Sequence, residues 1–119
     1  MSCLFDSLSY FVNMNSNILR NAICDYLQTN PKILDDINTE SVILWENGKT
    51  LDEYISCMRS TSTWGGGIEI KCFCEMFNLS VLVHFSDKNI VFLPNGNNPN
   101  NPNNPIELIY NGGHYEPKK

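Results

Sequence analysis

Cys3-Leu4-Phe5-Asp6-Ser7-Leu8-Ser9-Tyr10-Phe11-Val12-Asn13 places Leu4, Phe5, Leu8, Phe11 and Val12 at helical spacing. Residues from about Cys3 to Asn13 are therefore expected to form a helix with one apolar face, and Cys3 falls in its first turn. A thiol there lies at the positive end of the helix dipole. The pattern returns after a break at Asn13–Ser16, with Ile18, Leu19, Ala22, Ile23, Tyr26 and Leu27 as its apolar positions. Ser16 is the expected N-cap of this second helix and Asn30-Pro31 its stop.

From Pro31 to Gly48 acidic and apolar residues interleave around Trp45, and only short helical turns are expected. Thr50-Leu51-Asp52-Glu53 has the form of a capping box and opens a short third helix through Tyr54, Ile55 and Met58. Ser60 to Gly67 reads as a loop, and Ile68, Ile70, Phe73, Cys74 and Phe77 resume helical spacing until Asn78. The period then changes. Ser80–Phe85, Asn89–Leu93 and Ile106–Tyr110 are rich in β-branched and aromatic residues and bounded by turn formers, so three successive strands are expected. Between the last two lies Asn95-Gly96 followed by a tandem of Asn-Asn-Pro units. Its side chains cannot build a core and its prolines remove backbone donors, so 95–105 is read as a disordered insertion at a hairpin tip rather than a recognition arm.

The length of 119 residues suits one domain spanning 1–119, helices first and a small sheet last. Eight basic against thirteen acidic side chains give a formal charge of −5, which opposes binding to nucleic acid and favours a basic partner. The apolar runs are too short to cross a bilayer, and the segment after Met1 is already amphipathic, so neither a membrane partner nor a secretory leader is expected. Five cysteines in irregular spacing do not form a disulfide framework and point to a reducing, cytoplasmic compartment. Nothing calls for a second copy, and a monomer is expected.

The chemistry-bearing residues lie at the two ends. Cys3 opens the first helix and His114 follows the last expected strand in Asn111-Gly112-Gly113-His114-Tyr115-Glu116. A thiol becomes a good nucleophile near neutral pH when a helix N-terminus or an imidazole helps withdraw its proton, and both devices are available. Glu116 is two positions beyond His114, so in an extended segment the two share a face. By itself, a cysteine in an amphipathic first turn is more often a packing residue. Cys24, Cys57, Cys72 and Cys74 fall within apolar periodicity and are read as inert packing residues. Cys72 and Cys74 diverge by about 200° on a helix, and no second pair completes a metal site, so no metal is expected. His84 ends a strand without a companion and is read as a structural or surface residue. Gly65-Gly66-Gly67 lacks the Lys-Ser/Thr of a phosphate loop, and no cofactor is expected.

Three segments taken in order, Cys3–Ser9, Thr63-Trp64-Gly65-Gly66-Gly67-Ile68-Glu69-Ile70 and Ile106–Glu116, resemble the ovarian tumour (OTU) family of cysteine proteases over nearly the whole chain. The resemblance implies an α+β, papain-like fold in which a small, mostly antiparallel sheet packs against several helices. It implies a deubiquitinase that hydrolyses the isopeptide bond after the C-terminal Gly-Gly of ubiquitin or a ubiquitin-like modifier, with conjugates of that modifier as partners. Cys3 then takes the place of the nucleophile, His114 of the general base and Glu116 of the orienting acid. Trp64, Gly65, Gly66, Ser2 and Tyr115 fall where substrate is bound. The basic tail of ubiquitin agrees with the acid excess found independently.

Two positions depart from the family pattern. An Asp-Gly-Xaa run usually precedes the nucleophile and supplies oxyanion donors, whereas only Met1 and Ser2 precede Cys3 here. Losing such donors costs about two to three orders of magnitude in turnover. The expectation is either a natural segment upstream or a weak or inactive relative that binds ubiquitin without turnover. A general papain-like peptidase is the third reading. Glu116 stands where Asp or Asn is usual, which lengthens the reach by one methylene and keeps the charge.

Overall fold

The computed structural model describes residues 3–34, 37–60, 63, 65–94 and 105–118, with only the backbone of Leu34. Helix α1 runs Cys3–Val12 and helix α2 runs Ser16–Gln28. The cap of α2 is Asn15 rather than Ser16: its side-chain oxygen accepts the Asn17 and Ile18 N–H groups, 2.8 and 3.4 Å away. Both residue types cap well, so the choice is set by one position of register. Asn13 and Asn30 leave the two helices at positive φ.

The segment expected to hold only short turns contains instead a small antiparallel pair and a full helix. Strands β1 (Lys32–Leu34) and β2 (Ile37–Asn38) pair, and α3 runs Thr39–Asn47 between an Asn38 cap and Gly48 at φ +67. Its apolar residues Val42, Ile43, Leu44 and Trp45 are consecutive, so they surround the axis and give no periodic signal; Val42 and Ile43 are buried while Leu44 and Trp45 are exposed. Helix α4 (Leu51–Met58) opens on the expected reciprocal box: Thr50 Oγ1 accepts the Glu53 N–H and the Glu53 carboxylate accepts the Thr50 N–H, both at 3.2 Å. Helix α5 (Gly67–Phe77) ends at Asn78 in the left-handed region.

Strands β3 (Val81–His84), β4 (Asn89–Phe92), β5 (Ile106–Asn111) and β6 (His114–Pro117) form one sheet in the order β4-β3-β5-β6. β3 pairs antiparallel with β4 and parallel with β5, while β5 and β6 are antiparallel. β4 and β5 therefore flank β3 and are not a hairpin, which corrects the reading of 95–105 as a hairpin tip. Residues 95–104 lie outside the described residues. β6 is a fourth strand that composition did not announce. On the inner face of the sheet, Val81, Val83 and Leu108 are fully buried. α2 lies centrally, against α1, α4 and α5, while α1 packs on β6. The core thus runs from Leu4, Phe5 and Leu8 through Leu19, Ile23 and Leu27 to Ile70 and Phe73.

Candidate active site

The packing of α1 on β6 brings the ends of the chain together. Cys3, half-buried, is the first residue of α1, and His114, exposed, is the first residue of β6. The intervening turn fixes where the imidazole starts. Gly112 and Gly113 both have positive φ, +61 and +88, so the two residues close a tight primed turn between Asn111 and His114, which are Cα partners. Along β6 the side chains alternate. Tyr115 and Pro117 are half-buried, whereas His114 and Glu116 are exposed on the same face.

Cys3, His114, Tyr115 and Glu116 line one open cleft of about 530 Å³, together with Asp6, Ser7 and Tyr10 of α1. The last three stand three, four and seven residues after Cys3, the spacing that shares a helix face, and that spacing is the sequence signal that marks them. Ser7 Oγ donates to the Cys3 carbonyl at 2.7 Å and ties down the first turn. Tyr115 backs the cleft: its ring lies 4.8 Å from that of Tyr110, which in turn contacts Phe85 at 5.2 Å. Burial, with smaller contributions from Tyr110, Cys3 and Glu69, pushes its hydroxyl up to about 12.

Gly65 and Gly66 line a different cleft, of about 260 Å³, with Tyr54, Cys57 and Glu69. The missing Cβ of Gly65 serves an approach to α1: a Cβ there would sit 2.7 Å from Leu4 Cδ2 and 3.0 Å from Phe5 Cε2. Ser2 and Trp64 lie outside the described residues.

Two expectations about other residues are corrected. Cys57 is exposed rather than a packing residue, with Lys49 Nζ 3.7 Å from its sulfur, because it falls on the solvent side of α4. Cys24, Cys72 and Cys74 are buried; burial pushes the Cys24 thiol up to about 11 and that of Cys74 to about 12, and raises that of Cys72 as well. Such thiols stay protonated and unreactive. His84 does have companions, since Nε2 lies 2.8 Å from Glu107 Oε1 and Nδ1 lies 3.1 Å from Asn89 Oδ1. Lys118 joins Glu107 at 3.5 Å, and His84 with Lys118 holds the Glu107 carboxyl below its ordinary range.

A thiol at a helix N-terminus and a strand-borne imidazole and carboxylate thus line one cleft of an α+β domain, and these are the groups on which thiol-hydrolase chemistry draws. Comparison with known proteins makes the class specific. The family model for OTU-like cysteine proteases matches residues 2–116, and the chain belongs to that family. Among its relatives, "Ubiquitin thioesterase OTU1" of Rattus norvegicus is 30% identical over 122 residues, covering 98% of this chain and 33% of that protein. The Homo sapiens protein of the same name is 29% identical, covering 98% and 32%. The chain thus spans about a third of the length of these relatives. Among solved structures, an ovarian tumour (OTU) domain in complex with ubiquitin superposes with a TM-score of 0.75 at 24% identity, covering 98% of this chain and 62% of that one. An OTU deubiquitinase from Wolbachia pipientis wMel bound to ubiquitin gives 0.68 at 21%, covering 98% and 88%. The fold is theirs.

Proposed function

We propose that this chain is a cysteine-type deubiquitinase, hydrolysing the isopeptide bond that follows the Gly-Gly terminus of ubiquitin or a related modifier. The observation that carries it is the single cleft lined by Cys3, His114 and Glu116. The relatives named as ubiquitin thioesterases and the neighbours bound to ubiquitin support the substrate class. The acid excess suits a basic modifier tail.

The Cys3 thiolate attacks the isopeptide carbonyl carbon, forming a C–S bond. The C–N bond then breaks as protonated His114 gives its proton to the departing lysine amine, leaving a thioester. His114, now neutral, takes one proton from water as the water oxygen attacks the thioester carbon. The C–S bond then breaks, restoring the thiolate beside protonated His114, and the acid product releases its remaining proton to solvent as it leaves as a carboxylate. Glu116, on the same strand face, orients the imidazole and stabilises its cation. Tyr115 forms the back wall. Five free thiols support a reducing site of action, such as cytoplasm, and a place in ubiquitin deconjugation.

The test is hydrolysis of ubiquitin carrying a fluorogenic C-terminal amide. Cys3→Ala is expected to abolish release, and His114→Ala to reduce kcat by about a hundredfold to ten-thousandfold. Ubiquitin binding without hydrolysis by the unmutated chain would mean a binding module instead, and no interaction would reject the ubiquitin assignment.

A further inference from the structure

Glu69 on α5 is 1% exposed, and both its carboxyl oxygens are occupied. Oε1 accepts the Gly66 N–H at 2.7 Å, and Oε2 accepts the Tyr54 hydroxyl at 2.5 Å. Gly66 is thus anchored from α5 and α4 at once. Its neighbour Gly65 lies against the side-chain ends of Leu4 and Phe5 in the first turn of α1, where a Cβ would stand 2.7 Å from Leu4 Cδ2 and 3.0 Å from Phe5 Cε2 and would force them to shift. Those two residues directly follow Cys3. The ring of Phe5 also carries the buried Arg20 guanidinium, 4.2 Å from its centroid. Arg20 Nη1 donates to the carbonyls of Met58 and Ser60 at 2.7 and 2.9 Å. Both ends of the α4–α5 connection therefore bear on one turn of α1, the Met58–Ser60 end through Arg20 on the Phe5 ring and the Gly65–Gly66 end through Gly65 itself, whose neighbour Gly66 is held by Glu69.

We propose that Glu69 is a positioning residue for the nucleophile: by holding Gly66 it seats Gly65 against Leu4 and Phe5, and so fixes the turn from which Cys3 is presented to the cleft. The inference rests on the thiol-hydrolase reading above and adds a residue remote from the reacting atoms. Glu69 contacts neither Cys3 nor His114 through any described hydrogen bond, and its effect passes through Gly66 and Gly65 to the side chains of Leu4 and Phe5. A glutamine keeps the amide oxygen that accepts the Gly66 N–H, whereas an alanine leaves that donor unmet.

The experiment uses ubiquitin with a C-terminal electrophile, in parallel with iodoacetamide alkylation of Cys3 followed by peptide mass spectrometry, at a temperature where circular dichroism shows each variant folded. Glu69→Ala is expected to lower the labelling rate at saturating probe by about tenfold to a hundredfold, as sub-ångström to ångström misplacement does. The half-saturating probe concentration should stay within about twofold, and Glu69→Gln should recover the rate to within about threefold, because one acceptor is retained. A folded Glu69→Ala protein that labels at the unmutated rate, or that changes only in half-saturation, would overturn the proposal. If Glu69→Ala does not fold, Tyr54→Phe takes its place, with an expected loss of about threefold to tenfold from one missing hydrogen bond and an unchanged rate as the contrary result. Failure of the ubiquitin probe on the unmutated chain would count against the substrate assignment alone; the alkylation rate of Cys3 in Glu69→Ala, lower or equal, would still decide the positioning role.

Discussion

Glu69 is the residue whose environment carries the sharpest consequence for pH. Burial raises its carboxyl to about 7, against the pull of the Tyr54 and Gly66 hydrogen bonds and of Arg20. The groups facing it are Tyr54 on α4, Arg20 and Cys24 on α2, Cys72 on its own helix and Tyr115 on β6. A carboxyl raised in the folded state binds its proton more tightly there than in the unfolded chain. Stability is therefore higher below the ordinary carboxylate range and falls as pH rises from about 4.5 to about 7, by about 3 kcal/mol for a shift of this size. Glu69→Gln removes this titration. In urea unfolding at pH 5 and pH 7.5, the fall in stability is expected to be smaller for Glu69→Gln than for the unmutated protein, by up to that amount. Parallel pH dependences would contradict it. The chemistry of Glu69 was not legible in the sequence, where it is one acid in an amphipathic helix. Cys3 and His114 stood out as candidates because few residue types can supply a nucleophile and a base, and the fold brings both to one cleft.

At the scale of elements, the β5–β6 turn decides where the imidazole begins. Gly112 has φ +61 with open space where a Cβ would stand, so Gly112→Ala meets backbone strain without a clash. The expected cost is about 1 kcal/mol, a fall in Tm of about 4 °C for a domain of this size. A Tm equal to that of the unmutated protein would show that the turn has another form. Helices α1, α2, α4 and α5 could be read beforehand because their apolar residues recur every three or four positions and their ends carry Asn, Thr or Gly. α3 could not, since Val42-Ile43-Leu44-Trp45 is an unbroken run. Nor could β6, whose His114-Tyr115-Glu116-Pro117 has a single β-former and a proline. It is a strand because β5 offers it an edge and Tyr110 a ring to pack on.

The whole molecule depends on a parallel pairing that no local signal announces. Phe92 at the end of β4 and Ile106 at the start of β5 are both partners of Val81, on opposite sides of β3. Their separation is two strand spacings, about 10 Å, which three or four extended residues cover. Residues 93–105 are far more than the span requires. Excision of residues 98–103 is therefore expected to leave hydrolysis intact and to change stability by less than about 1 kcal/mol, as loop shortening does. A loss of folding would mean that the tract packs on the domain. Local adjacency made this segment look like a hairpin tip, and only the long-range insertion of β3 between its neighbours reveals a crossover. The same long-range order carries α1 to β6 and closes the cleft between the first and last elements.

That closure is most directly tested by the ring signals of the two histidines, His84 and His114, in a carbon–proton NMR spectrum. His84 is held by Glu107 and Asn89 outside the cleft and serves as an internal control. Replacing Cys3 by alanine is predicted to move the His114 ring cross-peak by several linewidths and to leave that of His84 in place. A His114 signal unmoved by the loss of the thiol would contradict the account.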